Sequence, residues 1–251
     1  GRADFMPNFY YEVPRFWREL VKPDVFYAMV SPMDKHGYFS FGVGASEGRA
    51  QMCRAAKIFL EVNPRMPRVL GDNFVALCES SNALPTLPDA PLGEKDLKIG
   101  AYVAERISDG ATIQLGIGSI PNAVGKNLVD KKDLGIHSEM FSDGVVELVE
   151  AGVITNKRKN LHPGKSVAAF LMGTQRLYDY VDNNPEVAMM PVDYVNDPRV
   201  ICQNDNLVSI NSCVQVDIMG QVVSTSAGLR QISGVGGQVD FVRGANLSKG
   251  G

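Results

Sequence analysis

From residue 97 onward the sequence alternates short apolar runs with stretches of helical spacing, and this most narrowly limits what the chain can fold into. Residues 97–107 read as a helix with Leu97, Ala101, Ala104 and Ile107 on its apolar side, and 111–115 (ATIQL) as a strand. GIGSIPNAV then opens a helix running to about Val129, and 134–137 is a short strand. A helix at 143–151 stops at Gly152. It is followed by a strand at 167–171, a helix at 174–181 and a strand near 187–190. Further short strands are expected at 200–203, 207–210 and 214–217, a hairpin turn at Met219-Gly220, and a helix at 238–245. Such alternation is the pattern of an α/β domain, here expected to have a mixed sheet.

The earlier part shows the same layering less sharply. A helix is expected at 14–20 with Pro14 in its first turn, a strand at 25–30, a helix at 46–56, and a strand at 58–62 stopped by Asn63-Pro64. Residues 81–96 carry three prolines and no periodicity, so they read as a linker. The expected layout is residues 1–85 as the later part of a first α/β domain, 86–96 as linker, and 97–251 as a second α/β domain. Both ends stop without a closing element, so the chain is expected to be incomplete at each.

Composition excludes several classes of function. Net charge is −3, and the only dense basic run is 156–160 (NKRKN), which argues against nucleic acid or an anionic membrane as partner. No apolar run reaches 18 residues. Cys53, Cys78, Cys202 and Cys213 form no CxxC pair and read as buried thiols of a cytoplasmic protein. Glycine is the unusual count: 17 of the 25 lie from Gly110 onward.

Those glycines concentrate near polar residues. In 114–122 (QLGIGSIPN) a strand delivers Gly116 and Gly118 to a helix start, either a place for a phosphate or carboxylate or a plain tight turn. Pro121 stands where a dinucleotide fingerprint needs its last glycine, so a nicotinamide site is disfavoured. In 135–144 (GIHSEMFSDG), Glu139 follows a short strand, where α/β proteins place their sites. It reads as a solvated helix-start carboxylate, a general base or a covalent nucleophile; with His137 two residues away, a metal pair is a further reading. In 233–241 (SGVGGQVDF), three glycines in four positions suit an anion-binding nest or a crowded turn. Asn196 and Asn211 can donate to an oxyanion or cap a turn.

Taken together, 114–124, 135–144, 177–185, 194–212 and 233–245, with the earlier 30–44 (VSPMDKHGYFSFGVG), resemble the acetyl-CoA hydrolase/transferase family of CoA-transferases. The resemblance implies two similar CoA-transferase-type (NagB/RpiA-like) α/β domains, with the active site where the second faces the first. It implies that Glu139 attacks an acyl-CoA thioester, that Asn196 and the backbone N–H of Gly236 or Gly237 stabilise the oxyanion, and that Gln114, Leu115, Gly116, Ile117 and Gly118 belong to the CoA site. The expected function is movement of CoA between a short-chain acyl-CoA (4-hydroxybutyryl-, butyryl- or acetyl-CoA) and a small carboxylate such as acetate, by ping-pong chemistry through a glutamyl-CoA thioester. An acyl-CoA hydrolase or a non-catalytic CoA-binding fragment is the alternative. Coenzyme A enters as substrate, no tightly bound cofactor or metal is expected, and a homo-oligomer is the expected assembly.

Overall fold

The computed structural model describes residues 5–69, 73–74, 80–88, 91–116 and 118–251. In chain order the first stretch holds α1 (Val13–Glu19), β1 (Val25–Val30), β2 (Phe39–Ser40), α2 (Gly48–Met52), β3 (Lys57–Val62) and β4 (Asn73–Phe74). There follow α3 (Glu94–Ala104), β5 (Thr112–Leu115), α4 (Ser119–Lys126), β6 (Gly135–Phe141), α5 (Asp143–Glu150), β7 (Ser166–Leu171), α6 (Gln175–Val181) and β8 (Val187–Met189). The remainder is α7 (Val192–Val195), α8 (Pro198–Ile201), β9 (Leu207–Ile210), β10 (Gln215–Val216), β11 (Val222–Val223), β12 (Ser226–Ala227), β13 (Arg230–Gln231) and α9 (Gln238–Leu247).

The centre is one five-stranded sheet ordered β8-β7-β6-β5-β9. Every neighbouring pair in it is parallel, so the expected mixed sheet is corrected. Parallel strands joined by helices are covered on both faces, and their side chains are apolar in both directions. Along β7 this is direct: Ala168 packs with Ile113, Ile136 and Phe141, while Val167 and Ala169 pack with Val192, Val195, Ile201 and Phe241. The hairpins β10–β11 and β12–β13 pair antiparallel and stay outside this sheet.

The first stretch has its own parallel pair, β1 with β3, over a core of Phe26, Val30, Phe39, Phe41 and Leu60. It also completes the central sheet. β8 pairs with β7 only as far as Ala168, and past that point residues 43–46 take over. Leu171 N–H donates to Val43 O (2.8 Å), Gly44 bridges Phe170, and Ser46 N–H donates to Ala169 O (3.0 Å). Val192 N–H in turn donates to Ser46 O (3.0 Å), so a loop of the first stretch lies between β7 and the start of α7.

Several local expectations are revised. β6 continues to Phe141 rather than ending at His137, because its apolar run stays paired with β7 through Phe141↔Leu171. The strand expected at 200–203 is helix α8. Asp197 accepts the Arg199 N–H (2.8 Å) as its N-cap and Pro198 fills the first turn. α2 spans five residues, less than the helix expected at 46–56. α3 starts at Glu94, inside the expected linker, and Leu97 is 42% exposed. Cys53 and Cys213 are exposed and Cys202 is intermediate, correcting the buried-thiol expectation for these three; Cys78 lies outside the described residues.

The buried residues of α3 are Gly100 and the expected Ala104, not Leu97. A Cβ on Gly100 would stand 2.6 Å from the Ala123 carbonyl carbon and 2.7 Å from its oxygen, so α3 and α4 cross backbone to backbone. Gly100→Leu must therefore push the helices apart, and the expected loss is about 1–3 kcal/mol. Urea denaturation measures it; an unchanged midpoint would mean that the close crossing is not required.

Candidate active site

β6 is the middle strand of the sheet, and it carries two polar side chains to one face. Alternation along a strand puts His137 and Glu139 on the same side. His137 is fully buried and its Nε2 donates to the Val195 carbonyl at the end of α7 (2.8 Å). Burial, then the nearby Lys159 charge, lowers its pKa to about 3, so the ring is neutral and serves as a fixed donor. One residue past Val195, Asn196 donates from Nδ2 to Glu139 Oε2 (2.6 Å). Two successive inward side chains of β6 thus clamp two successive residues of the α7–α8 turn. Among the described residues no group of three or more His, Cys, Asp or Glu could hold a metal ion, and His137 is engaged with the backbone.

The glycine loop closes over this pair. Gly237 is the N-cap of α9, and a Cβ there would overlap both Glu139 Oε2 and Asn196 Nδ2. The position therefore tolerates only glycine if Glu139 is to stand where it does. Gly236 has φ +58°, the left-handed region that glycine adopts without cost. Among the described residues, neither Gly236 N–H nor Gly237 N–H donates a hydrogen bond.

A cavity of about 260 Å³ opens in front of these groups, lined by Gln114, Leu115, Gly116, Glu139, Gly236 and Gly237 among others. Asn196 does not line it; fully buried, it holds Glu139 from behind. Gly118, at φ +110°, caps α4 beyond the lining, near Ser212, which does line the cavity. Ile117 lies outside the described residues. Gln114 is part of a closed network: it donates to Asn211 Oδ1 (3.1 Å) and accepts from Ser209 Oγ (2.6 Å) and Asn211 Nδ2 (3.0 Å). A Cβ on Gly116 would sit 3.0 Å from Asn211 Oδ1, so this glycine admits the network beside the loop.

Two residues are missed by sequence reasoning. Asp240, on the first turn of α9, is fully buried and accepts the Tyr11 N–H at Oδ2 (3.3 Å). Tyr10 donates to Glu47 Oε2 (3.3 Å), and its hydroxyl is held protonated by burial with the Glu47 and Glu139 charges beside it. Tyr10 reaches the site from 129 residues before Glu139, and Asp240, although it lies within 233–241, carries no local mark of its burial.

Burial pushes the Glu139 carboxyl above its ordinary value, and the Asn196 hydrogen bond pulls it partly back. A carboxylate that is desolvated, held by one donor and open to a cavity has the chemistry of an attacking oxygen. Unpaired N–H groups beside it suit an oxyanion that forms on attack.

The arrangement is a partly buried carboxylate facing a glycine-lined cavity. The N-terminal domain of the acetyl-CoA hydrolase/transferase family matches residues 1–191 and its C-terminal domain matches residues 173–251. The chain belongs to the acetyl-CoA hydrolase/transferase family, and the two matches correspond to the family's two α/β domains. It is 58% identical over its whole length to a 4-hydroxybutyrate coenzyme A transferase of Clostridium kluyveri, of which it covers 60%. It is 41% identical, again over its whole length, to a butyryl-CoA:acetate CoA-transferase of Anaerostipes caccae, covering 59% of it. Among solved structures, RipA from Yersinia pestis superposes with a TM-score of 0.93 at 41% identity, over 100% of this chain and 58% of that one. The chain thus spans about 60% of the length of these relatives. No helix among the described residues is long and apolar enough to cross a membrane.

The raised Glu139 carboxyl has a thermodynamic consequence. Its folded pKa lies above the unfolded one, so ionising it costs the fold stability as pH rises through the raised value. Glu139→Gln removes that penalty. The stability of this variant relative to the parent is expected to increase between pH 4.5 and pH 8 in urea titrations. A difference that stays constant over that range would contradict the burial argument.

Proposed function

We propose that this chain carries the catalytic glutamate of a CoA-transferase that moves CoA between a short-chain acyl-CoA and a small carboxylate. The observation that carries this reading is the partly buried Glu139 carboxylate, held by Asn196 and pressed against Gly237, where it faces a cavity. The named activities of the relatives, 4-hydroxybutyrate and butyryl-CoA:acetate transfer, support the substrate class.

The proposed chemistry runs in balanced steps. A Glu139 carboxylate oxygen attacks the thioester carbonyl, the C–S bond breaks, and CoA leaves as thiolate from an acyl-glutamyl anhydride. The thiolate attacks the glutamyl carbonyl, the anhydride C–O bond breaks, and the first acid departs as its carboxylate, leaving a glutamyl-CoA thioester. An acceptor carboxylate then runs the same two steps in reverse, restoring Glu139. Each attack builds an oxyanion, for which the N–H groups of Gly236 and Gly237 line the cavity, while the Asn196 amide serves the oxyanion that forms on Glu139 itself. Gln114 and Leu115 at the end of β5, with Gly116, Ile117 and Gly118 after them in sequence, are the residues proposed to bind CoA. Keeping water from the thioester separates transfer from hydrolysis.

Within the same proposal, the fold is NagB/RpiA-like, with residues 1–85 closing a first domain, 86–96 a linker and 97–251 a second domain within a longer polypeptide. Containment of the five-stranded sheet in residues 112–210 supports that layout, although the family's two matches meet at 173–191. The protein works as a cytoplasmic homo-oligomer.

Acyl-CoA added to the full-length protein, followed by borohydride and peptide mass spectrometry, is expected to mark Glu139. Finding the mark elsewhere, or nowhere, refutes Glu139 as nucleophile. Glu139→Ala is expected to abolish exchange between acyl-CoA and labelled acetate. Gly237→Ala, which intrudes on both Glu139 and Asn196, is expected to lower turnover by about 10²–10³-fold, the scale of losing an oxyanion donor. Free CoA released without a new thioester would assign hydrolysis instead.

A further inference from the structure

The connection between β11 and β12 lies outside the central sheet, yet it reaches the catalytic cavity. Ser224, the residue after β11, lines the same cavity of about 260 Å³ as Glu139 and Gly237. The backbone fixes its position from both sides. The carbonyl of Val223 before it accepts the Val214 N–H (2.9 Å), two residues past Ser212, which also lines the cavity. The carbonyl of Thr225 after it accepts the N–H groups of Ile232 (2.9 Å) and Ser233 (3.2 Å), where the glycine loop begins. Ser224 is thus strung between two walls of the cavity, 211–212 and 233–237.

Its hydroxyl differs from the other polar groups there. Glu139 accepts from Asn196 Nδ2 (2.6 Å). The Gln114 and Asn211 amides bond each other, Gln114 Nε2 donating to Asn211 Oδ1 (3.1 Å) and Asn211 Nδ2 to Gln114 Oε1 (3.0 Å). Ser233 is exposed, so water can serve its hydroxyl. Ser224 Oγ is sealed from solvent and has no hydrogen-bond partner; among the described residues, no other residue lining the cavity carries such an atom. A buried hydroxyl left unpaired is costly, and protein interiors keep few of them. A ligand that enters the cavity and pairs with it recovers that loss.

The ligand group follows from what a hydroxyl can do. A thioester carbonyl or an acceptor carboxylate offers only lone pairs, and the N–H groups of Gly236 and Gly237 suit those. A serine hydroxyl donates and accepts at once, which matches a group that does both, an alcohol. We propose that Ser224 is a specificity-determining residue that hydrogen-bonds a hydroxyl on the acyl chain, so that the site prefers hydroxyacyl-CoA thioesters over unsubstituted ones of the same length. The inference rests on the transferase reading with Glu139 as the nucleophile. An unsubstituted chain covers Ser224 and leaves its hydroxyl unpaired, so the discrimination comes from a penalty on the wrong chain as well as a bond to the right one. No covalent bond to Ser224 forms at any stage.

The test uses the full-length protein and compares kcat/KM for 4-hydroxybutyryl-CoA and butyryl-CoA, which differ by one hydroxyl, with acetate as common acceptor. The parent is expected to favour the first by about tenfold or more. Ser224→Ala, checked for an unchanged fold by circular dichroism, is expected to bring the two values within about twofold of each other. Ser233→Ala removes an exposed hydroxyl of the same cavity and is expected to keep the parent ratio. Three results overturn the proposal and leave the transferase reading intact, because both substrates are still turned over. These are a parent ratio near one, a ratio that survives Ser224→Ala (equal losses on both substrates, as a contact to CoA would give), and a collapse of the ratio in Ser233→Ala as well. If the parent moves no CoA, the transferase reading fails by itself, and binding decides this one. Ligand-observed NMR titrations should then show free 4-hydroxybutyrate binding the parent more tightly than butyrate, and the two binding Ser224→Ala equally. Equal affinity for both acids in the parent, or a preference that persists in Ser224→Ala, refutes the specificity role.

Discussion

The site depends on the central placement of β6. A strand in the middle of a parallel sheet has neighbours on both edges and packed layers on both faces, so its side chains have little freedom to relax. Putting a carboxylate there is expensive, and it is tolerated because Asn196 supplies one strong donor and the cavity in front keeps the other side open. The unfavourable desolvation is the same property that makes the oxygen reactive. Stability and reactivity are opposed at one atom, as expected of a site built for chemistry.

The supports of Glu139 are drawn from distant parts of the chain. His137 ties β6 to Val195, which places Asn196; the start of α9 brings Gly237; the 43–46 loop occupies the β7 edge and anchors α7 through Ser46. The glycines at 116 and 237 share a purpose, since each makes room for a polar side chain from another element, Asn211 in one case and Glu139 with Asn196 in the other. Glycine at these places serves close approach. At Gly236 and Gly118 it serves a positive φ instead.

Most strands and helices were legible because apolar periodicity reports burial directly. Thr112–Leu115, Ser166–Leu171, Asp143–Glu150 and Gln238–Leu247 fall within a residue or two of the pattern. The misreadings have local causes. The 200–203 run is apolar enough for a strand, but Asp197 and Pro198 cap a helix just upstream of it. Glu139 was expected after the end of its strand, because a charged residue looks like a strand terminator; pairing with β7 carries the strand on past it. The parallel character of the sheet had no one-dimensional signature, since it is a matter of which strands become neighbours.

The sequence by itself determined the alternating elements and the glycine-rich loops, and its resemblance to a family pointed to Glu139, Asn196, Gly236 and Gly237 as candidates. The elements and loops are legible because periodicity and backbone permissiveness are properties of local residues. Only the tertiary structure decided that Asn196 meets Glu139 at 2.6 Å, that Gly237 must lack a side chain, and that Asp240 is fully buried. Desolvation and hydrogen bonding depend on what surrounds a group in space, and the surroundings of Glu139 come from segments 57 to 129 residues away or more, joined only when the sheet closes.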